Sequence, residues 1–217
     1  MIKAVIFDMD GLLINSEEFW QESESKVFNA LGVSTNKDMF VQFMGKRIDE
    51  VVDLMWIKQQ WKSSSKIEVV NSIVENVIQR VTEKGIALPG VIDTLDAVRK
   101  NNYKIALASS SKMKIINAVL DKLMIRDYFE VIHSAEFENF GKPHPQILIT
   151  TAKMLSVKPS ECLVFEDSLN GVIAALAANM KCIAVPERNA TNRSKFIIAD
   201  KVLDSLIDFK VTDLKLY

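Results

Sequence analysis

The sequence predicts an α/β protein: a three-layer core with a parallel sheet between helices, carrying an inserted α-helical domain. Three observations predict it. Short apolar runs rich in β-branched residues open the chain and return from about residue 86, alternating there with amphipathic stretches, as strand–helix–strand units do. Between them, 16–85 loses such runs and takes up three- and four-residue apolar spacing. The 217 residues, 48% of them hydrophobic, suffice for a sizeable core plus a smaller insertion. The expected division is therefore 1–15 with 86–217 as the α/β core and 16–85 as a helical cap domain.

The first run, Ala4-Val5-Ile6-Phe7, is too short for a helix and has the composition of a strand buried on both faces. It ends in Asp8-Met9-Asp10-Gly11. In open α/β sheets ligands bind beyond the carboxyl ends of strands, and residues two apart in an extended chain point the same way. Asp8 and Asp10 are thus expected to converge, with Gly11 allowing a sharp turn after them. An Asp-rich turn without chemistry is the alternative.

In the insert, Phe19, Trp20, Val27, Phe28 and Leu31 share one helical face, and Gly32 is a natural stop. Val51, Val52, Leu54 and Met55 predict a second helix, preceded by Gly45-Lys46-Arg47. The clearest helix spans 66–84, with Ile67, Val70, Ile73, Val74, Val77, Ile78 and Val81 as its stripe and Ser65 and Glu68 as a capping box. Leu88-Pro89-Gly90 then returns the chain to the core, and Val91, Leu95 and Val98 mark the next helix. Strands are expected at 104–108, 129–132, 163–165 and 182–185, and helices at 115–123, 147–155 and 172–178.

Three more strand ends and loops carry candidate chemistry. Ser109 opens the run Ser109-Ser110-Ser111-Lys112 where a strand gives way to a helix, so its hydroxyl and the free N–H groups there either hold phosphate oxygens or merely cap that helix. Lys142 lies in Gly141-Lys142-Pro143-His144-Pro145, where two prolines fix a loop able to hold the ammonium over Asp8; a solvated lysine is the alternative. His144 has no second ligand at metal spacing and reads as the start of a helix. Glu166-Asp167 follows an apolar strand, where carboxylates complete a magnesium site, N-cap a helix, or do both. Phosphoryl transfer needs a nucleophile, a hard cation, donors to the equatorial oxygens and a proton carrier. Asp8 is the candidate nucleophile and Asp10 the candidate general acid and base.

Composition excludes other classes. Lys and Arg number 27 against 28 Asp and Glu, which gives no electrostatic case for nucleic acid or an anionic membrane. Cys162 and Cys182 lie in apolar runs without CxxC spacing and read as buried thiols. His133 and His144 are the only histidines, and no GxSxG accompanies them, which disfavours a serine hydrolase. The apolar run before Asp8 is too short for a signal sequence or a membrane span, so a cytoplasmic protein, acting as a monomer on a small molecule, is expected. The glycosylation patterns at Asn189 and Asn192 then read as chance matches.

Together the four motifs resemble those of the haloacid-dehalogenase-like superfamily over essentially the whole chain. Phe7-Asp8-Met9-Asp10-Gly11-Leu12-Leu13-Ile14, Lys142-Pro143-His144-Pro145-Gln146 and Glu166-Asp167-Ser168 resemble its sugar-phosphate branch of hexitol and 2-deoxyglucose 6-phosphate phosphatases, to which β-phosphoglucomutase is related. The resemblance implies a Rossmann-like core with a helical cap, and a phosphatase of small phosphorylated sugars working through an aspartyl-phosphate. A mutase of the same fold, or a non-catalytic binder of phosphorylated metabolites, are the alternatives. It further implies Asp8 as nucleophile, Asp10 as acid and base, Ser109 with Ser110 and Lys142 on the phosphate, and Mg²⁺ on Asp8, the Asp10 carbonyl and Asp167, with Glu166 as the other candidate ligand. Asn15 stands where the family usually has Asp, which bears on the cap hinge. Mutases resembling this chain carry a histidine aligned with Trp20, whose indole has no titratable nitrogen. Trp20 is expected to pack on the sugar or fill the cap core, and Arg47, before Lys46, to hold polar groups of the substrate.

Overall fold

The computed structural model describes residues 1–187 and 193–217; Asn189 and Asn192 lie outside the described residues. Its centre is a sheet of parallel strands in the order β3-β2-β1-β4-β5-β6. These are β1 (Ala4–Phe7), β2 (Lys104–Ser109), β3 (Val131–Ser134), β4 (Cys162–Glu166), β5 (Lys181–Ala184) and β6 (Lys201–Val202). The central strand, β1, places Phe7 opposite Leu107 on one side and Phe165 on the other. The chain adds β2 and β3 to one side of it and β4 to β6 to the other, so the strand order reverses at β1, where a crevice opens beyond the strand ends.

Strand pleating divides the core. Val5 and Phe7 point into one apolar layer with Leu107 and Phe165, and Phe7 stacks on Phe165 with ring centroids 5.0 Å apart. Ala4 and Ile6 point into the other with Ala106, Ala108 and Val164. Helices α5 (Val91–Lys100) and α6 (Met113–Leu123) cover the first face, and α7 (Gln146–Met154) and α8 (Leu169–Ala177) the second. Cys162 and Cys182 are free and fully buried, and burial pushes the Cys162 thiol up to about 12, so both behave as core residues.

Four helices intervene between β1 and α5: α1 (Glu17–Ala30), α2 (Lys37–Phe43), α3 (Ile48–Lys58) and α4 (Lys66–Lys84). The capping box at the start of α4 is formed: the Glu68 carboxylate accepts from the Ser65 N–H at 2.7 Å, and the Ser65 hydroxyl accepts from the Glu68 N–H at 3.3 Å. Val70, Ile73, Val74, Val77 and Val81 bury the stripe of α4, whereas Ile67, in its first turn, stands exposed. Helix α2 has no clear sequence signal because two turns are too short for a period; Asn36 starts it by accepting from the Met39 N–H. The third strand lies two residues later than expected, since a turn at Arg126–Tyr128 uses the residues before it and pairing puts Ser134 beside Ser109. Among the described residues no helix is long and apolar enough to cross a membrane.

Candidate active site

Asp8 is delivered by β1. Its N–H donates to the Phe165 carbonyl at 3.0 Å, extending the β1–β4 pairing one residue past the strand. The chain then turns back on itself, with the Leu13 N–H on the Met9 carbonyl at 2.8 Å and the Gly11 N–H on the Ile14 carbonyl at 3.0 Å. Gly11 is required twice over: its φ is +68°, and a Cβ there would lie 2.2 Å from Asp167 Oδ2.

Lys142 reaches the same point from the loop before α7. Fully buried, its Nζ donates to Asp8 Oδ1 at 2.5 Å and to Glu166 Oε2 at 2.7 Å. The other oxygen of Glu166 accepts from the Ser168 N–H at 3.1 Å and the Ser168 hydroxyl at 2.7 Å, so both its oxygens are taken by the protein. Ser168 Oγ also accepts from the Gly171 N–H, capping α8 and fixing Glu166 with one side chain.

Charge at this point is unbalanced. Burial, reinforced by the Glu166 charge and opposed by Lys142, pushes Asp8 up to about 7. Asp167 is raised well above the usual carboxylate range by burial and by Glu166 and Asp8. Burial works against the Lys142 ammonium, yet Asp8 and Glu166 outweigh it and hold the charge above the ordinary lysine range. An ammonium held so firmly beside a carboxylate so reluctant to ionise marks a site with more negative groups than positive ones. Asp8, Glu166 and Asp167 each offer an oxygen, all within 4.8 Å of one another, a hard donor set that fits a divalent cation.

Asp10 faces the insert. Its Oδ1 accepts from the Ser16 hydroxyl at 2.6 Å and the Trp20 indole N–H at 2.9 Å, and its Oδ2 from the Ser111 hydroxyl at 2.6 Å. Ser109, buried at the end of β2, accepts the Ser111 N–H at 3.0 Å, and the Ser110 hydroxyl donates to the Gly45 carbonyl at 2.7 Å. Asp8, Asp10, Ser109 and Asp167 form one side of a cavity of about 60 Å³, and Trp20 and Lys46 belong to the other.

The chain matches the family of haloacid dehalogenase-like hydrolases over residues 5–185. It belongs to that family. It is 40% identical to hexitol phosphatase B of Escherichia coli (strain K12), over 98% of this chain and 96% of the relative. It is 31% identical to a phosphorylated carbohydrates phosphatase of Thermotoga maritima, over 84% of each chain. Among solved structures, β-phosphoglucomutase from Clostridium difficile superposes with a TM-score of 0.89 at 29% identity, covering 100% of this chain and 96% of that one.

One side chain of this hydrolase lies elsewhere than the sequence suggests. Arg47 is not a wall of the cavity: its guanidinium pairs with Asp49 and donates to the carbonyls of Ala135 (3.2 Å) and Glu138 (2.7 Å), strapping the insert to the loop before Lys142. Lys46, the residue before Arg47, lines the cavity instead. Trp20 is half-buried, packs against the apolar cluster and lines the cavity, and beyond what the sequence suggests its indole N–H donates to Asp10. Both Glu166 oxygens already accept from Lys142 and Ser168, whereas Asp8 and Asp167 line the cavity. Sequence reasoning missed Ser16, Ser111, Glu17 and Glu24. The last two had a signal: Glu17, Trp20 and Glu24 follow i, i+3, i+7 spacing on one face of α1.

Proposed function

We propose that this hydrolase is a Mg²⁺-dependent phosphatase of phosphorylated sugars or sugar alcohols that works through an aspartyl-phosphate on Asp8. The observation that carries this is the Asp8 carboxylate at the end of β1, one oxygen on Lys142, beside Asp167, and open to a cavity that it shares with Asp10. The names of the relatives support the substrate class.

In this scheme Lys142 and the Ser109-Ser110 loop hold the phosphate oxygens. Bound Mg²⁺, held by Asp8 and Asp167 with the Asp10 carbonyl, would supply positive charge against the transferring phosphoryl group. An Asp8 oxygen attacks phosphorus while Asp10 gives its proton to the departing sugar oxygen. Asp10, now a carboxylate, takes a proton from water, the resulting hydroxide attacks the phosphoryl group, and Asp8 is regenerated with release of inorganic phosphate.

Residues 16–85 act as the cap over a core of 1–15 and 86–217. The cavity lies between residues of the insert and residues of the core, so in this scheme substrate enters as the cap swings outward. Its return excludes water during attack. Trp20 supports hydrolysis over mutase chemistry, since an indole at Asp10 has no titratable nitrogen to relay a proton. We take the protein to act as a cytoplasmic monomer on a small molecule; the near balance of charge gives it no electrostatic attraction to nucleic acid or an anionic membrane.

The test is phosphate release from hexitol and hexose phosphates with and without Mg²⁺, run beside conversion of β-glucose 1-phosphate to glucose 6-phosphate. Metal-dependent release with little conversion is expected; efficient conversion with little release would overturn the assignment.

A further inference from the structure

Glu24 is a buried ionisable residue of the cavity wall that the scheme above leaves unused. It sits in the middle of α1, is 6% exposed, and lines the cavity. Burial, then the charge of Glu17 two turns back on the same helix face, pushes it up to about 8, and neither a hydrogen bond nor a cation acts on it among the described residues. A mostly buried carboxyl group with no protein partner leaves its hydrogen bonds to whatever fills the cavity it lines, water when empty and the ligand when bound. Two further side chains define what that ligand meets. Gln21 lies on the same helix and also lines the cavity, and Phe40 and Phe43 present an apolar wall.

We infer that Glu24 recognises the hydroxyl groups of the substrate's alcohol portion and thereby selects neutral polyhydroxy phosphate monoesters over those with an anionic group at the far end. The inference rests on the phosphatase function proposed above, which pins the phosphate at Asp8, Ser109 and Lys142 and so directs the carbon chain toward α1. Hydroxyls both donate and accept, so they satisfy Glu24 whether it carries a proton or not. A carboxylate or second phosphate in that place would face Glu24 and Glu17 inside a low-dielectric cavity, with Lys46 the only cationic lining residue among those described. Both carboxyls are already reluctant to ionise in this setting, so a further buried negative charge beside them is strongly unfavourable. Gln21 adds an amide that donates and accepts, which suits a polyol equally.

Sorbitol 6-phosphate and 6-phosphogluconate test this directly, because they differ only in a terminal hydroxymethyl against a carboxylate. The discrimination is measured as the ratio of kcat/KM for phosphate release by the Mg²⁺-loaded protein. It is measured again as the ratio of dissociation constants by calorimetry in an Asp8→Asn background. The wild-type chain is expected to favour sorbitol 6-phosphate by at least about 30-fold, and Glu24→Gln to cut that ratio at least about tenfold, chiefly through KM. A wild-type ratio near one overturns the inference whatever Glu24→Gln does to folding, and so does a ratio that Glu24→Gln leaves unchanged. Absence of phosphate release from both esters would count against the phosphatase function instead, and the binding ratio would still decide the role of Glu24.

Discussion

The indole N–H of Trp20 donates to Asp10 Oδ1 at 2.9 Å, so a side chain of the insert holds the carboxylate that stands two residues beyond Asp8. An indole is only a donor, which forces Oδ1 to be an acceptor and confines any proton on Asp10 to Oδ2, on the side of Ser111. If Asp10 is the acid and base of the reaction, as proposed, the insert sets where it carries its proton. Trp20→Phe keeps the ring and removes the donor. Hydrogen bonds to charged groups contribute about 1.5–3 kcal/mol, so kcat should fall by about tenfold or more while KM changes little. Steady-state kinetics on a sugar phosphate checks this, and an unchanged kcat would mean that the contact does not bear on proton transfer.

Lys46 and Arg47 are adjacent yet should respond differently. Lys46→Ala removes a cation from the cavity wall and should raise KM several-fold. Arg47→Ala removes the strap to Ala135 and Glu138; it should leave KM nearly unaltered and speed hydrogen exchange across residues 135–141. The reverse pattern would restore Arg47 as the substrate contact.

Gly171 has to be glycine for the sake of Glu166. A Cβ there would lie 1.9 Å from the Glu166 carboxyl carbon, which is fixed by Lys142 and Ser168 and has nowhere to retreat. Gly171→Ala should lower stability by about 1–3 kcal/mol, as overpacking does, and impair activity by displacing Lys142. Chemical denaturation and phosphate release measure the two effects; a fully active, equally stable variant would contradict this packing.

Stability should depend on pH in a direction that metal reverses. Asp8 is raised from 3.8 to about 7, and Glu17 and Glu24 from 4.5 to about 8, in each case chiefly by burial. The folded protein therefore holds these protons to higher pH than the unfolded chain does, and folding takes protons up across that interval. The stability these groups contribute is complete below the unfolded values and is lost as pH rises through about 7 to 8. Mg²⁺ competes with the proton on Asp8, so its stabilising effect should grow with pH. Melting curves with chelator and with Mg²⁺ at several pH values test this: Tm in chelator should fall as pH rises from mildly acidic to mildly alkaline, and the lift from Mg²⁺ should be larger at the alkaline end. A Tm that rises with pH in chelator would contradict it.

What could be read from the sequence follows the length of its signals. β1 is legible because four buried apolar residues end at a pair of carboxylates, and α4 because nineteen residues hold one stripe behind a capping box. Helix α2 and the exact start of β3 are not, since the first is two turns long and pairing with β2 sets the second. The period of two correctly suggests that Asp8 and Asp10 face one region, and both line the cavity; their partners come from far along the chain or from the insert, and no local spacing encodes them. Glu24 escapes a search for apolar stripes because it is a charge placed among them, and its burial emerges only when α1 packs over the core.

The nucleophilic role of Asp8 is tested most directly by quenching the Mg²⁺-loaded protein in acid during turnover of a sugar phosphate and mapping the peptide that contains it by mass spectrometry. The account predicts one phosphoryl group on Asp8 that accumulates and decays with the substrate, and a loss of at least about a thousandfold in rate for Asp8→Asn. An unmodified peptide throughout full-rate phosphate release, together with near wild-type activity in Asp8→Asn, would contradict it.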